Sequence, residues 1–247
     1  MPDRRSHRSA APRDERLFSP EAAPLLARAT AHLSWLLSRG YADRSALKLV
    51  GDRFDLTARQ REAVGRSACP DEALHSRRAR CVPGAALRGA ELAVDAYNVL
   101  TTLESALGGG VVLRGRDGCY RDLASLRGTW RRVAETVPAL ELAGAFLASA
   151  GGADCLWYVD RPVSNSRRLE RMIVELARRR GWGWGAELVA DADRALTASA
   201  RVAASADRAV LDACGDWCNL AAEVILHAVR GAWVVDMAGV AGALEAP

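Results

Sequence analysis

The sequence predicts an α/β protein: a mostly parallel central sheet with helices on both faces, preceded by a small all-helical module. Three observations predict it. From Ala90 onward, apolar runs of four to six residues alternate with helical segments, the pattern of strands joined by helical crossovers. Before that point apolar residues recur only at helical spacing, between Gly and Pro stops. The size, 247 residues with 50% hydrophobic and 26% charged side chains, suits one ordinary domain plus a smaller one.

Residues 1–17 (MPDRRSHRSAAPRDERL) are polar, Arg-dotted and unpatterned, and are expected to form a disordered basic tail. Residues 18–82 are expected to be helical. After Pro20, Leu25, Leu26, Ala29, Leu33, Leu36 and Leu37 recur on one helical face, and Gly40 ends the run. A second short helix starts at Asp43 or Arg44 and should end at Gly51. Thr57 is a candidate N-cap for a third over 58–68, with Arg59, Arg61 and Arg66 expected to face outward. A fourth spans Asp71 to about Arg80, before Pro83-Gly84. Short helices with tight turns are open to two readings, a helix-turn-helix nucleic-acid module or a cap packed on the main domain.

Residues 88–238 are expected to be the α/β domain. Strands are assigned to ELAVDAY, GGVVLRG, DCLWYVD, GAELVAD, ARVAAS and GAWVVDM. Helices are assigned to about 98–107, 134–150, 166–180, 192–199 and 219–229. Charge divides along the same line: residues 1–90 hold 17 basic and 10 acidic residues, and residues 91–247 hold 17 and 20. Lys48 is the single lysine, a bias that a GC-rich coding sequence produces, so Arg content alone does not argue for nucleic acid.

The informative feature is how the strands end. Val94-Asp95 and Val159-Asp160 each close a strand, Asp191 and Asp193 follow another, and Asp207 follows ARVAAS. In an open parallel sheet the active crevice lies beyond the carboxyl ends of the strands. Four strand ends should therefore bring carboxylates to one edge. Clustered carboxylates raise one another's pKa unless a cation holds them. Oxygen ligands without His or Cys suit Mg²⁺ or Mn²⁺. The competing reading is that each Asp only caps the helix after it, although Ser, Thr or Asn would cap equally well.

Other chemistries lack their signatures. The six cysteines show no paired spacing and the four histidines are scattered, so no zinc site is expected and the thiols should be buried and reduced. There is no phosphate-binding loop, no nucleophile elbow and no Gly-rich dinucleotide turn after the first strand. The N-terminus lacks an apolar signal region and no run approaches a membrane span, so the cytoplasm is the expected location.

Val94-Asp95-Ala96-Tyr97-Asn98-Val99-Leu100 is similar to the first motif of the PIN-like and NYN ribonuclease superfamily, a strand ending in Asp with Asn three residues on. Residues 20–240 more closely resemble the prokaryotic DUF434 family. Its members join a helical module to a PIN-like domain, also catalogued as DUF5616. The segments that carry the likeness are Asp95–Leu100, Arg116–Asp122, Tyr158–Ser166 and Asp191–Leu196. The family carries no stated function, but the PIN resemblance implies a three-layer PIN-like fold and a metal-dependent nuclease. It implies Asp95, Asp160, Asp191 or Asp193, and Asp207 as ligands of one or two Mg²⁺ or Mn²⁺ ions, with Asp95, Asp160, Asp193 and Asp207 catalytic. Asn98 would orient Asp95 or substrate, and Glu104 and Asp122 are secondary acidic candidates. Ala96 replaces the usual glycine, and Ser205-Ala206-Asp207 dilutes the usual Thr-Ser-Asp.

Two further segments suit a polyanion. Asp117–Asp122 and Leu126–Arg132 mix Arg with aromatics, which makes Arg121 and Arg131 candidate phosphate contacts. Ser164 and Asn165, just past Asp160, either shape the following helix or contact substrate. The leading expectation is phosphodiester hydrolysis, on RNA ahead of DNA. The alternatives are a catalytically inactive PIN-like module that binds RNA or a nucleotide, and a phosphatase-like enzyme on a small phosphorylated metabolite.

Overall fold

A computed structural model describes residues 7–124, 128–151 and 154–239. Met1–Ser6 of the expected tail, and Leu126 and Arg127 of the Arg-aromatic segment, lie outside them. Its N-terminal part comprises α1 (Asp14–Leu17), α2 (Ala23–Leu37), α3 (Asp43–Arg53), α4 (Ala58–Ser67) and α5 (Asp71–Arg80). After a 3₁₀ turn at Gly84–Ala86 follow β1 (Glu91–Asp95), α6 (Ala96–Leu107), β2 (Val112–Arg114), β3 (Tyr120–Asp122) and α7 (Thr136–Ser149). The chain continues through β4 (Asp154–Asp160), α8 (Ser166–Arg180), β5 (Trp184–Val189) and α9 (Ala192–Ala198). It ends with β6 (Val202–Ala204), α10 (Arg208–Ala213), β7 (Trp217–Cys218), α11 (Leu220–Ala228) and β8 (Val234–Asp236).

Five strands form the main sheet in the order β5-β4-β1-β6-β7, and every neighbouring pair is parallel. The chain moves outward from β1 through β4 to β5, then returns to add β6 on the other side of β1. That reversal makes the crevice between β1 and β6 the topological switch point. Side chains alternate across the sheet: Leu92 and Val94 of β1 join the core built with α6, α7, α8 and α11, whereas Ala93 joins Leu196, Val210 and Leu211 of α9 and α10. Helices thus cover both faces. α8 ends at Gly181, whose φ of 69° is the left-handed cap that only glycine adopts freely.

The runs VVLR and WVVD were expected in the main sheet and are not there. They form β2 and β8 of a second sheet, ordered β3-β2-β8, with β2 antiparallel to β3 and parallel to β8. Strand periodicity marks such runs as strands without saying which sheet takes them. The second sheet supplies Leu113 and Val235, and the residues flanking it Val111 and Met237, to a core shared with Leu26, Leu33, Val50 and Val64 of the N-terminal helices. The helical module is therefore packed on the main domain through this small sheet.

Thr57 caps α4 in a reciprocal capping box with Gln60. α3 runs past Gly51 to Arg53. Gly51 lies against the Arg61 guanidinium, so the missing side chain makes room for packing and does not end the helix. The arginines expected to face outward from α4 are engaged: Arg59 with Asp14 and the Leu123 carbonyl, Arg61 with the Leu56 carbonyl, Arg66 with the Asp122 carbonyl. The tail expectation fails for residues 7–17. Asp14 is fully buried beneath Arg59, and Arg8 donates to Glu104 at 2.8 Å. Five of the six cysteines are buried as expected, and Cys81 is exposed. Among the described residues no helix is long and apolar enough to cross a membrane.

Candidate acidic site at the strand ends

Because the five strands run parallel, their carboxyl ends share one edge. Asp95 ends β1 and Asp160 ends β4, Asp191 and Asp193 follow β5, and Asp207 follows β6. Asp95 is the buried member, 6% exposed; Asp160 and Asp207 are half-buried, and Asp191 and Asp193 are exposed. Asp95 Oδ1 accepts the Asn98 amide at 3.1 Å, and its Oδ2 accepts the Ser205 hydroxyl at 2.9 Å. Asp191 accepts the Arg194 amide at 3.0 Å, and Asp207 accepts the Ala209 and Val210 amides. Asp160 accepts the Ala192 amide at 2.8 Å, tying β4 to the start of α9.

Helix capping is thus real at this edge, and it occupies one oxygen each of Asp95, Asp160, Asp191 and Asp207. It does not account for the electrostatics. Burial pushes the Asp95 carboxyl up to about 7 against the Asn98 and Ser205 hydrogen bonds, and the charges of Asp193 and Asp207 add to the rise. Desolvation, then Asp207, Asp160 and Asp191, push Asp193 up to about 6. Among the described residues no basic side chain forms an ion pair with any of the five. Nor do any three His, Cys, Asp or Glu side chains there already stand in a metal-holding arrangement.

Other candidates lie elsewhere or turn inward. Glu104 is buried in α6, accepting from Thr136 at 2.6 Å and from Arg8, away from the strand-end acids. Asp122 is buried under the Thr101 and Thr102 hydroxyls. Arg121, expected at substrate, is buried and bidentate on Asp117 at 2.8 and 2.7 Å. Asn98 Oδ1 accepts the Ala206 amide at 2.8 Å, so it fixes the β6–α10 loop. Asn165 adopts a left-handed conformation (φ 69°), and its amide donates to the Trp130 carbonyl at 2.9 Å. Ser164 pairs through its backbone with Gly128 and Trp130, leaving its side chain exposed, and Arg131 beside that pairing is half-buried.

Sequence reasoning passed over Tyr97 and Asp117. The Tyr97 hydroxyl is buried with no hydrogen-bond partner among the described residues; burial, then the Asp160 charge, raises its pKa. Its position between Asp95 and Asn98 was the available signal. Asp117 lies in the Arg-aromatic segment, but its partner Arg77, 40 residues away, leaves no local mark.

Residues 84–223 match the family model described as Domain of unknown function (DUF5616). The chain belongs to that family. The DUF5616 region spans β1 to β7 and so includes the whole main sheet and all five strand-end acids. Residues 25–80, from α2 to α5, match a second model, Protein of unknown function (DUF434). An uncharacterized protein of Methanocaldococcus jannaschii is 25% identical over 141 residues, which covers 57% of this chain and 67% of that protein. No solved structure matches the chain.

Proposed function

We propose that the acidic edge holds one or two Mg²⁺ or Mn²⁺ ions and that the protein is a PIN-like nuclease hydrolysing phosphodiester bonds in cytoplasmic RNA. The observation that carries this reading is electrostatic: carboxylates from four neighbouring strand ends share one sheet edge and raise one another's pKa, without a basic partner among the described residues. The donor chemistry fits, since hard oxygen ligands without imidazole or thiolate suit these ions. Asp95, Asp160, Asp193 and Asp207 would hold them, with Asp191 as the outer member. A bound ion of this kind supplies Lewis-acid stabilisation and an acidified water.

The chain's own groups prepare the edge. The Asn98 amide and Ser205 hydroxyl fix the Asp95 rotamer. Capping fixes one oxygen each of Asp160, Asp191 and Asp207 and leaves their other oxygen for a ligand. Arg131 and the exposed Ser164 would contact a substrate phosphate, and the Asn98 side-chain nitrogen would face the same crevice.

Single-stranded RNA labelled at its 5′ end, incubated with Mn²⁺, tests the reading. The wild type should cut it, EDTA should stop the cutting, and the Asp95→Asn/Asp160→Asn double variant should be inert. A second reading, a non-catalytic module that binds RNA or a nucleotide, draws on the lack of a ready three-ligand arrangement among the described residues. RNA retention without cleavage would favour it.

A further inference from the structure

The loop that carries Ser205, Ala206 and Asp207 is held from three sides. Ser205 reaches Asp95, and its oxygen also accepts the Asp207 amide at 3.0 Å. The Ala206 amide donates to Asn98. The third hold comes from beneath: Arg121 Nε donates to the buried Ala206 carbonyl at 2.8 Å. A buried carbonyl needs a donor, and here the donor is a guanidinium whose direction is set elsewhere. Both Nη atoms of Arg121 lie on the Asp117 carboxylate, and a bidentate pair of this kind fixes the plane of the fork and hence the aim of Nε.

Asp117 in turn is shared. Its Oδ2 also accepts from Arg77 of α5, and the Arg77 and Asp117 side chains are each 1% exposed. Arg77 continues to Asp212 of α10 at 2.8 Å. Its own carbonyl accepts the Trp217 indole N–H at 2.8 Å. Signs therefore alternate from α10 through Arg77 and Asp117 to Arg121, and the last member holds the acidic loop. Burial alone would push the Asp117 carboxyl up, but the Arg121 and Arg77 guanidiniums outweigh it and hold it well below the usual carboxylate range.

We propose that Arg77, a residue of the N-terminal helical module, is a positioning residue for the acidic edge: through Asp117 and Arg121 it fixes the Ser205–Asp207 loop, so that divalent-cation affinity depends on a side chain outside the α/β domain. The affinity half rests on the cation-binding reading above, and the loop half does not. The two matched segments then act as one unit, since α5 supplies the ion-pair chain that holds the loop between the ends of β1 and β6 from below.

The test uses the full chain and two readouts. Hydrogen exchange of the Ala206 amide, taken relative to that of Val94 in β1, reports the loop, and Mn²⁺ titration reports the edge. Arg77→Gln and Arg121→Lys should each speed Ala206 relative to Val94 and weaken Mn²⁺ binding by about threefold to tenfold, the upper end being what loss of a ligand's own hydrogen-bond partner brings. Arg77→Lys should recover part of both, and it keeps the test alive where Arg77→Gln fails to fold. Val50→Ala removes core packing in the same module without touching the ion-pair chain. It should lower global stability yet leave the exchange ratio and the Mn²⁺ affinity within about twofold, because unconnected sites act independently. The proposal is overturned if Arg77→Gln and Arg121→Lys keep wild-type values, or if Val50→Ala reproduces their losses. A wild type that takes up no Mn²⁺ refutes the cation reading and the affinity half with it, while the exchange ratio still decides whether Arg77 holds the loop.

Discussion

Asp95→Asn exchanges one oxygen for nitrogen in the most buried carboxylate of the edge. Folding lifts the Asp95 carboxyl from an ordinary 3.8 to about 7. The folded state therefore binds this proton more tightly than the unfolded chain. The sign follows: the metal-free protein loses stability as pH rises from about 4 to about 7, and the loss is complete above that window. At about 1.4 kcal/mol per pH unit, the full loss is on the order of 4 kcal/mol. Asparagine carries no charge to bury and keeps an oxygen for the Asn98 amide, but the Ser205 hydroxyl must turn from donor to acceptor, at about 1–2 kcal/mol. The net expectation at pH 8 is a variant more stable than wild type by about 2–3 kcal/mol, or about 5–10 °C in Tm for a chain of this size. At pH 5 the gain should vanish or reverse. The assay is thermal and urea unfolding of EDTA-treated wild type and variant at both pH values, with only the difference between them interpreted. With Mn²⁺ at 100 times its Kd the wild type should regain about 2.7 kcal/mol and the variant should not. A variant less stable than wild type by the same amount at pH 5 and pH 8 would refute the claim that Asp95 is a charge the fold buries at a penalty.

Three further outcomes follow from the same structure. Mn²⁺ affinity should climb between pH 5 and pH 8, because Asp193 and Asp95 give up protons at about 6 and about 7; calorimetric titrations at three pH values would show it. Arg59→Ala strips the partner from the fully buried Asp14 and should cost about 3 kcal/mol in urea unfolding while leaving the acidic edge unchanged. Gly144→Ala drives a methyl into the Trp182 ring, where α7 presses on the core, and should lower stability by about 1–3 kcal/mol.

The main sheet was legible because parallel strands buried on both faces read as short apolar runs, and two of those runs, β1 and β4, end on an Asp. The Asp after Val94 and after Val159 marked both the strand end and the acidic edge proposed as the site. The second sheet was not legible. Val112–Arg114 and Val234–Asp236 look like main-sheet strands, β3 is three residues long, and β2 and β8, over a hundred residues apart in sequence, leave no local mark of their pairing. The same limit explains the arginines. Sequence shows a basic side chain next to an aromatic, as at Arg121, but not that Asp117 turns it inward. It shows a polar N-terminus, but not that Asp14 is covered by Arg59 from α4. Capping and ligand chemistry also overlap at Asp191 and Asp207, where one residue type serves both, so only the mutual charge at the edge separates them.

The most direct measurement is calorimetric titration of Mn²⁺ into the metal-free full chain at pH 8, beside the Asp95→Asn/Asp160→Asn double variant. The wild type should take up one or two ions saturably, and the variant none while unfolding at the same or a higher temperature. Equal uptake by both proteins, or none by a folded wild type, would contradict the cation-binding reading.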